Sequence, residues 1–103
     1  MLSFIETKLF SRLREDYLSD DEYAEVQEAL IENPARGALV PGSGGVRKLR
    51  WAQRGRGKRG GIRIVYYART HESVIFMLTV YAKNEEGSIP AHILRRIKEE
   101  VDG

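Results

Sequence analysis

The stretch VRKLRWAQRGRGKRGGIRIVYYARTHESVIFMLTVYAK (Val46–Lys83) decides the fold, because three strand-like segments follow one another within it. Val46–Ala52 and Ile62–Arg69 predict strands, in which successive side chains point to opposite faces. Val74–Ala82 is almost continuously apolar, which is typical of a central strand covered on both sides for much of its length. Together the segments predict three neighbouring antiparallel strands.

The same region carries an unusual charge. Between Asn33 and His71 there is no acidic residue, while the span holds ten basic ones: Arg36, Arg47, Lys48, Arg50, Arg54, Arg56, Lys58, Arg59, Arg63 and Arg69. The net charge of +2 conceals this polarity, because residues 1–32 carry −6 and residues 72–103 carry −2. Like charges at this density repel one another, which indicates an anionic partner such as a nucleic acid. The alternative is a solvated basic hairpin without a ligand.

Helical patterns lie on both sides of the strands. Leu2–Glu6 predicts a short strand, and Thr7 can cap a following helix. Ser19 and Glu22 form a capping-box pattern for a second helix, which Asn33-Pro34 ends. Pro90 predicts the start of a last helix. Its apolar residues recur at four-residue intervals: Ile89, Ile93, Ile97 and Val101.

The order β-α-α-β-β-β-α predicts a single α+β domain over residues 1–103, with a small antiparallel sheet and helices packed on one side. The chain has no cysteine, and His71 and His92 lie too far apart to suggest a zinc motif. No secretory signal or membrane-spanning run is expected, so we expect a cytoplasmic protein without a cofactor.

Alternation places several candidate site residues on one face of this sheet. Lys48 and Arg50 share a strand face, about 7 Å apart. Arg63 follows on the next strand, and Tyr81 with Lys83 on the third. Gln53–Gly61 is a glycine-rich turn that brings Arg56 and Lys58 over the same face.

Cationic side chains in this arrangement suit phosphodiester cleavage by the 2′-hydroxyl of RNA. That reaction needs a proton taken from the 2′-hydroxyl, a stabilised phosphorane and a proton given to the leaving 5′-oxygen. Arginine clamps phosphate oxygens, and lysine moves a proton when neighbouring positive charge lowers its pKa. Tyr81 or Tyr67 can stack on a base or assist proton transfer.

The segments GGVRKLRWAQRGRGKRGGIRIVYY (residues 44–67), LTVYAKNE (78–85) and YLSDDEY (17–23) carry a family resemblance over nearly the whole chain. The chain resembles a RelE/HigB-type toxin of a bacterial type II toxin–antitoxin system, in the HigB branch of the RelE/ParE superfamily. The resemblance implies a microbial-RNase, RelE-like fold and a metal-independent endoribonuclease that cuts mRNA in the ribosomal A site. It also implies inhibition by a cognate antitoxin, HigA-like and with a DNA-binding domain.

The resemblance assigns roles to individual residues. Lys48 and Arg50 match the family's basic pair, Arg63 its phosphate-clamping arginine, and Lys83 the residue that protonates the leaving oxygen. RelE-type enzymes often have lysine where this chain has Arg50, so the general base shifts to Lys48 or Lys58. The expected RNA-binding residues are Arg47, Arg50, Arg54, Arg56, Arg59, Tyr67 and Tyr81. No tyrosine follows Tyr81, and His92 is a weak substitute.

Other interpretations stay open. Trp51 and Tyr66 are expected to fill the core, and Tyr67 could serve either the core or the site. The function could instead be a non-catalytic translation inhibitor that occupies the ribosome, or a gyrase inhibitor like those of the ParE group. Fold alone does not separate these functions. The codon preference, the general base, the antitoxin-binding face and the oligomeric state are not readable from the sequence.

Overall fold

The computed structural model describes residues 2–52, 61–86 and 88–102, leaving aside the side chains of residues 85, 86 and 102. Its elements are β1 (Ser3–Glu6), α1 (Lys8–Tyr17), α2 (Asp20–Glu32), β2 (Ala38–Leu39), β3 (Arg47–Trp51), β4 (Ile62–Arg69), a 3₁₀ turn (Thr70–Glu72), β5 (Val74–Ala82), α3 (Lys83–Glu86) and α4 (Ala91–Asp102). In this part of the chain, no helix is both long and apolar enough to cross a membrane.

The described strands form one five-stranded sheet in the order β1-β5-β4-β3-β2. The α+β class is therefore confirmed, but the sheet is mixed instead of wholly antiparallel. β1 runs parallel to β5, from Ser3 opposite Val74 to Glu6 opposite Met77. The two strands are far apart in sequence. No tight hairpin joins them, so they can pair in parallel. β2 is a two-residue strand in the segment between α2 and β3.

Side chains from α1 and α2 cover one side of the sheet, which we call the hairpin face. Phe10, Val26 and Leu30 pack there against Leu49, Ile64, Tyr66 and Met77 from the strands. The helix starts follow their predicted caps: the Thr7 hydroxyl accepts from the Phe10 N–H, and Ser19 with Glu22 forms the complete capping box. These caps thus fix the N-terminal ends of α1 and α2.

The opposite side, which we call the basic face, is covered in part by α4. Leu94 is fully buried there with Val65, Phe76 and Leu78, and Ile97 packs against the same cluster. The expectation that helices pack on one side therefore needs correction. β5 is apolar on both faces, so a helix on each face removes more of its surface from water than two helices on one face.

A β-bulge in β5 sets which of its residues lie on the basic face. Val65 lies opposite Thr79 while Tyr66 lies opposite Met77, so Leu78 is an extra residue. Its carbonyl accepts a hydrogen bond from the Thr7 hydroxyl at 2.8 Å. Beyond the bulge, Val80 packs on the hairpin face and Tyr81 on the basic face.

Candidate nucleic-acid interface

Three residues form a row across the basic face at one end of the sheet. Arg50 on β3 lies opposite Arg63 on β4, and Arg63 lies opposite Tyr81 on β5. Two like charges placed directly opposite each other destabilise a sheet. We call Arg50, Arg63 and Tyr81 the arginine row, and its two adjacent cations favour an anion above it.

The members of the row differ in exposure. Arg50 is exposed, whereas Arg63 is 6% exposed and Tyr81 is 5% exposed. Nη1 of Arg63 donates to the carbonyl of Ile62 at 3.2 Å, which holds the guanidinium against its own strand. Because a charge in a poorly hydrated position acts at low effective dielectric, Arg63 strengthens the positive potential beneath the more accessible Arg50.

Lys48 lies two residues before Arg50 on β3, on the same face and opposite Val65. Its ammonium is 3.5 Å from the Ser88 hydroxyl, in the segment that leads into α4. The side chain is half-buried. This contact fixes Lys48 between the arginine row and the start of the helix that covers the rest of the basic face.

Lys83 begins α3 directly after β5 and its side chain is exposed. Its backbone N–H donates to the carbonyl of Gly61 at 3.2 Å. Gly61 has a φ of +63°, and a Cβ there would collide with the carbonyl of Trp51. Only glycine tolerates both the positive φ and this close approach to the Trp51 carbonyl. Gly61 therefore lets the ends of β3, β4 and β5 come together beside the arginine row.

Two predicted RNA-binding residues lie elsewhere. Arg47 is on the hairpin face, where Nη1 donates to the carbonyls of Ala35 and Gly37 at 3.3 and 2.8 Å. Tyr67 is four residues from Arg63, about 13 Å along the strand. It stacks on Phe76 with centroids 6.4 Å apart and carries the Lys98 ammonium 4.7 Å above its ring.

The remaining predicted residues fall into two groups. His92 is exposed on α4. The turn residues lie outside the described residues: Arg54, Arg56, Lys58 and Arg59. Within the described residues, no group of three or more histidine, aspartate or glutamate side chains could hold a metal ion.

Sequence reasoning gave no role to three residues near this end of the sheet. Ser88 contacts Lys48 across the sheet end. Arg36 and Glu25 line a cleft together with Arg50 and Trp51. No periodicity links these positions, because a loop residue and a helix residue meet the strand only through tertiary packing.

The chain matches a family model and, separately, a solved structure. A family model described as "RelE toxin of RelE / RelB toxin-antitoxin system" matches residues 3–100. Among solved structures, a double arginine-to-alanine mutant of the E. coli toxin RelE in the free state matches with a TM-score of 0.58 at 16% identity. The match covers 94% of this chain and 96% of that one, and at this identity it shows a shared fold.

Proposed function

Since the chain belongs to the RelE toxin family, we propose that it cleaves mRNA on the ribosome as the toxin of a toxin–antitoxin pair. The observation that carries the proposal is the arginine row, in which Arg50 and Arg63 lie directly opposite each other. Two arginines directly opposite each other repel, which does not stabilise the sheet. Both can stabilise the negative charge that develops on phosphate in the transition state.

The reaction divides among residues at this end of the basic face. Lys48 takes the proton from the 2′-hydroxyl, whose oxygen then attacks the adjacent phosphorus. Arg50 contacts the phosphorane oxygens, and Arg63 adds a fixed positive charge below them. Lys83 gives a proton to the departing 5′-oxygen, so the products are a 2′,3′-cyclic phosphate and a free 5′-hydroxyl.

The division of roles follows from the positions of the two lysines. Lys48 and Lys83 lie on either side of the arginine row, one on β3 and the other just past β5. An acid and a base on opposite sides of a phosphate suit an in-line displacement, in which the entering and leaving oxygens lie roughly opposite each other. Lys58 stays the alternative base from the sequence analysis.

The family also implies an antitoxin that neutralises the chain. We propose that this partner is HigA-like, with a DNA-binding domain, and that the pair acts in the cytoplasm without a metal cofactor. A surface as basic as residues 34–70 attracts non-target RNA as well. An acidic or helical segment of the partner can therefore cover this basic surface in the resting state.

Primer extension on mRNA from programmed ribosomes tests the proposal. The wild-type chain should give discrete cuts in A-site codons that free mRNA does not show, and an Arg63→Ala/Lys83→Ala variant should lose them. Lys8→Ala/Arg12→Ala, with both residues exposed on α1, is the matched control for loss of two positive charges. Intact mRNA with arrested translation would instead support inhibition by occupancy, and no effect on translation would support the gyrase alternative.

A further inference from the structure

A cleft of about 370 Å³ lies at the outer edge of β3, next to the arginine row. It is lined by Glu25, Arg36, Arg50, Trp51 and Ala52. The cleft exists because β2 pairs only with Arg47 and Lys48, so the described part of the sheet leaves the edge from Leu49 to Trp51 without a neighbouring strand. We propose that this cleft binds a nucleobase of the mRNA, next to the phosphate held by the arginine row.

Trp51 supplies the stacking surface. The sequence predicts that it fills the core, and the structure gives it two roles at once. It packs against the hydrophobic cluster of the hairpin face, yet it is half-buried and lines the cleft. A ring held on one side by the core loses little freedom when a base stacks on its other side, which suits single-stranded RNA.

The charges around the cleft orient a nucleotide within it. Arg50 belongs to both the cleft and the arginine row, and Arg36 adds a second exposed cation from the loop after α2. Glu25 stands at the α2 side and repels phosphate. The sugar–phosphate backbone therefore lies toward Arg36 and Arg50, and the base lies against the ring of Trp51.

The spacing fits one nucleotide between the two sites. The cleft is lined by Arg50 and Trp51 of β3, so only one strand spacing, about 5 Å, separates this lining from β4, which carries Arg63. Its volume also lies at the lower end of the range of small-molecule sites, about 300–1,000 Å³. This inference rests on the proposed function, because it takes mRNA as the ligand of the arginine row.

The experiment uses the only tryptophan of the chain as its reporter. A short RNA with a 2′-deoxy sugar before the scissile phosphate cannot be cut, and it is added to the wild-type protein at low salt. We expect tryptophan fluorescence to be quenched in parallel with the rise in anisotropy of the labelled RNA. An otherwise identical RNA with abasic sugars should bind with less affinity and leave the fluorescence unchanged.

Variants separate stacking from charge. Trp51→Leu keeps an apolar side chain against the core and should weaken RNA binding roughly tenfold with an unchanged salt slope. Trp51→Phe should retain most of the affinity. Arg36→Gln, which removes an exposed side chain, should make the slope of log affinity against log salt shallower by about 0.7, whereas Arg12→Gln should not.

The outcomes distinguish this inference from the proposed function. Saturating RNA that leaves the tryptophan unquenched, or equal quenching by the abasic RNA, overturns the base site even if programmed ribosomes show cleavage. Quenching by a purified antitoxin but not by RNA also overturns it and identifies the cleft as a protein contact. Quenching by the base-containing RNA without any cleavage on ribosomes supports the cleft and rejects the nuclease.

Discussion

The two faces of the sheet have opposite constructions. On the hairpin face, α1 and α2 bury an apolar layer against Leu49, Ile64, Tyr66 and Met77. On the basic face, α4 covers the half near Val65 and Phe76, and the other half carries the arginine row. The same strands thus carry an apolar layer on one side and two adjacent arginines on the other, because alternate residues of one strand belong to different faces.

This contrast places the proposed site directly beside the core. Arg63 is flanked along β4 by Ile62 and Ile64, both fully buried on the hairpin face. A substitution one residue away therefore changes a different property of the protein. Each of the four predictions below tests one side of this division.

The largest expected effect concerns two arginines on β3. Arg50→Gln should lower the rate of ribosome-dependent cleavage about 100-fold, because it removes a donor to the phosphorane. Arg47→Gln, with the same change of charge on the hairpin face, should leave cleavage near the wild-type rate and lower the free energy of unfolding by about 1 kcal/mol. Single-turnover primer extension and urea denaturation measure the two quantities. Equal losses of cleavage in both variants would contradict the division between faces.

The next prediction concerns the core. Ile64 is fully buried, and Ile64→Ala should lower the free energy of unfolding by about 3 kcal/mol through lost burial and a residual cavity. Arg50→Ala should change it by no more than about 0.5 kcal/mol. Urea denaturation at neutral pH measures both, and a comparable loss in the arginine variant would show that the basic face also stabilises the fold.

A smaller effect is expected at Thr7, which joins the two faces. Its hydroxyl accepts from Phe10 at the start of α1 and donates to the carbonyl of Leu78 in the bulge. Thr7→Ala should lower the free energy of unfolding by about 1–2 kcal/mol. Thr7→Ser keeps both hydrogen bonds and should restore most of the loss. If the serine variant is no more stable than the alanine variant, the hydroxyl is not the stabilising group.

The smallest effect at neutral pH is expected at Tyr23, whose hydroxyl donates to Glu6 at 2.8 Å. Burial, together with this hydrogen bond, raises the pKa of Tyr23 above its ordinary value near 10. The stabilisation is therefore complete below about pH 10 and is lost as pH rises, because the unfolded chain ionises first.

Tyr23→Phe should cost about 1 kcal/mol at pH near 8 and reduce the loss of stability between about pH 8 and 11. Urea denaturation at both values measures this. Part of the alkaline loss should remain, because burial also raises the pKa of Tyr66. An unchanged pH dependence in the variant would show that Tyr23 is not responsible.

Much of the fold was predictable because the signals were local. The caps at Thr7 and Ser19, the end of α2 at Asn33 and the faces of β4 all followed from spacing along the chain. The parallel pairing of β1 and the placement of α4 were not predicted, since both depend on contacts distant in sequence. The apolar run Val74–Ala82 did indicate cover on both faces, but it did not indicate which helix supplies the second cover.

The site was predictable only in part for the same reason. Alternation puts Lys48, Arg50 and Arg63 on one face, and it also puts Arg47 on the other. Which residues lie opposite each other depends on the register between strands, and the sequence of the β3–β4 connection does not determine it. The predicted roles of Lys58 and the turn arginines remain predictions. The cleft at Trp51 needed the packing of α2 and its loop against the end of β3.

The bulge at Leu78 also bears on how this sheet tolerates insertions during evolution. A residue added to a regular strand moves every later side chain to the opposite face. Here the bulge accommodates the extra residue locally, so Tyr81 lies in the arginine row and Val80 lies in the core. The Thr7 hydroxyl donates to the carbonyl of that residue, so replacing Thr7 removes a contact that stabilises the bulged strand.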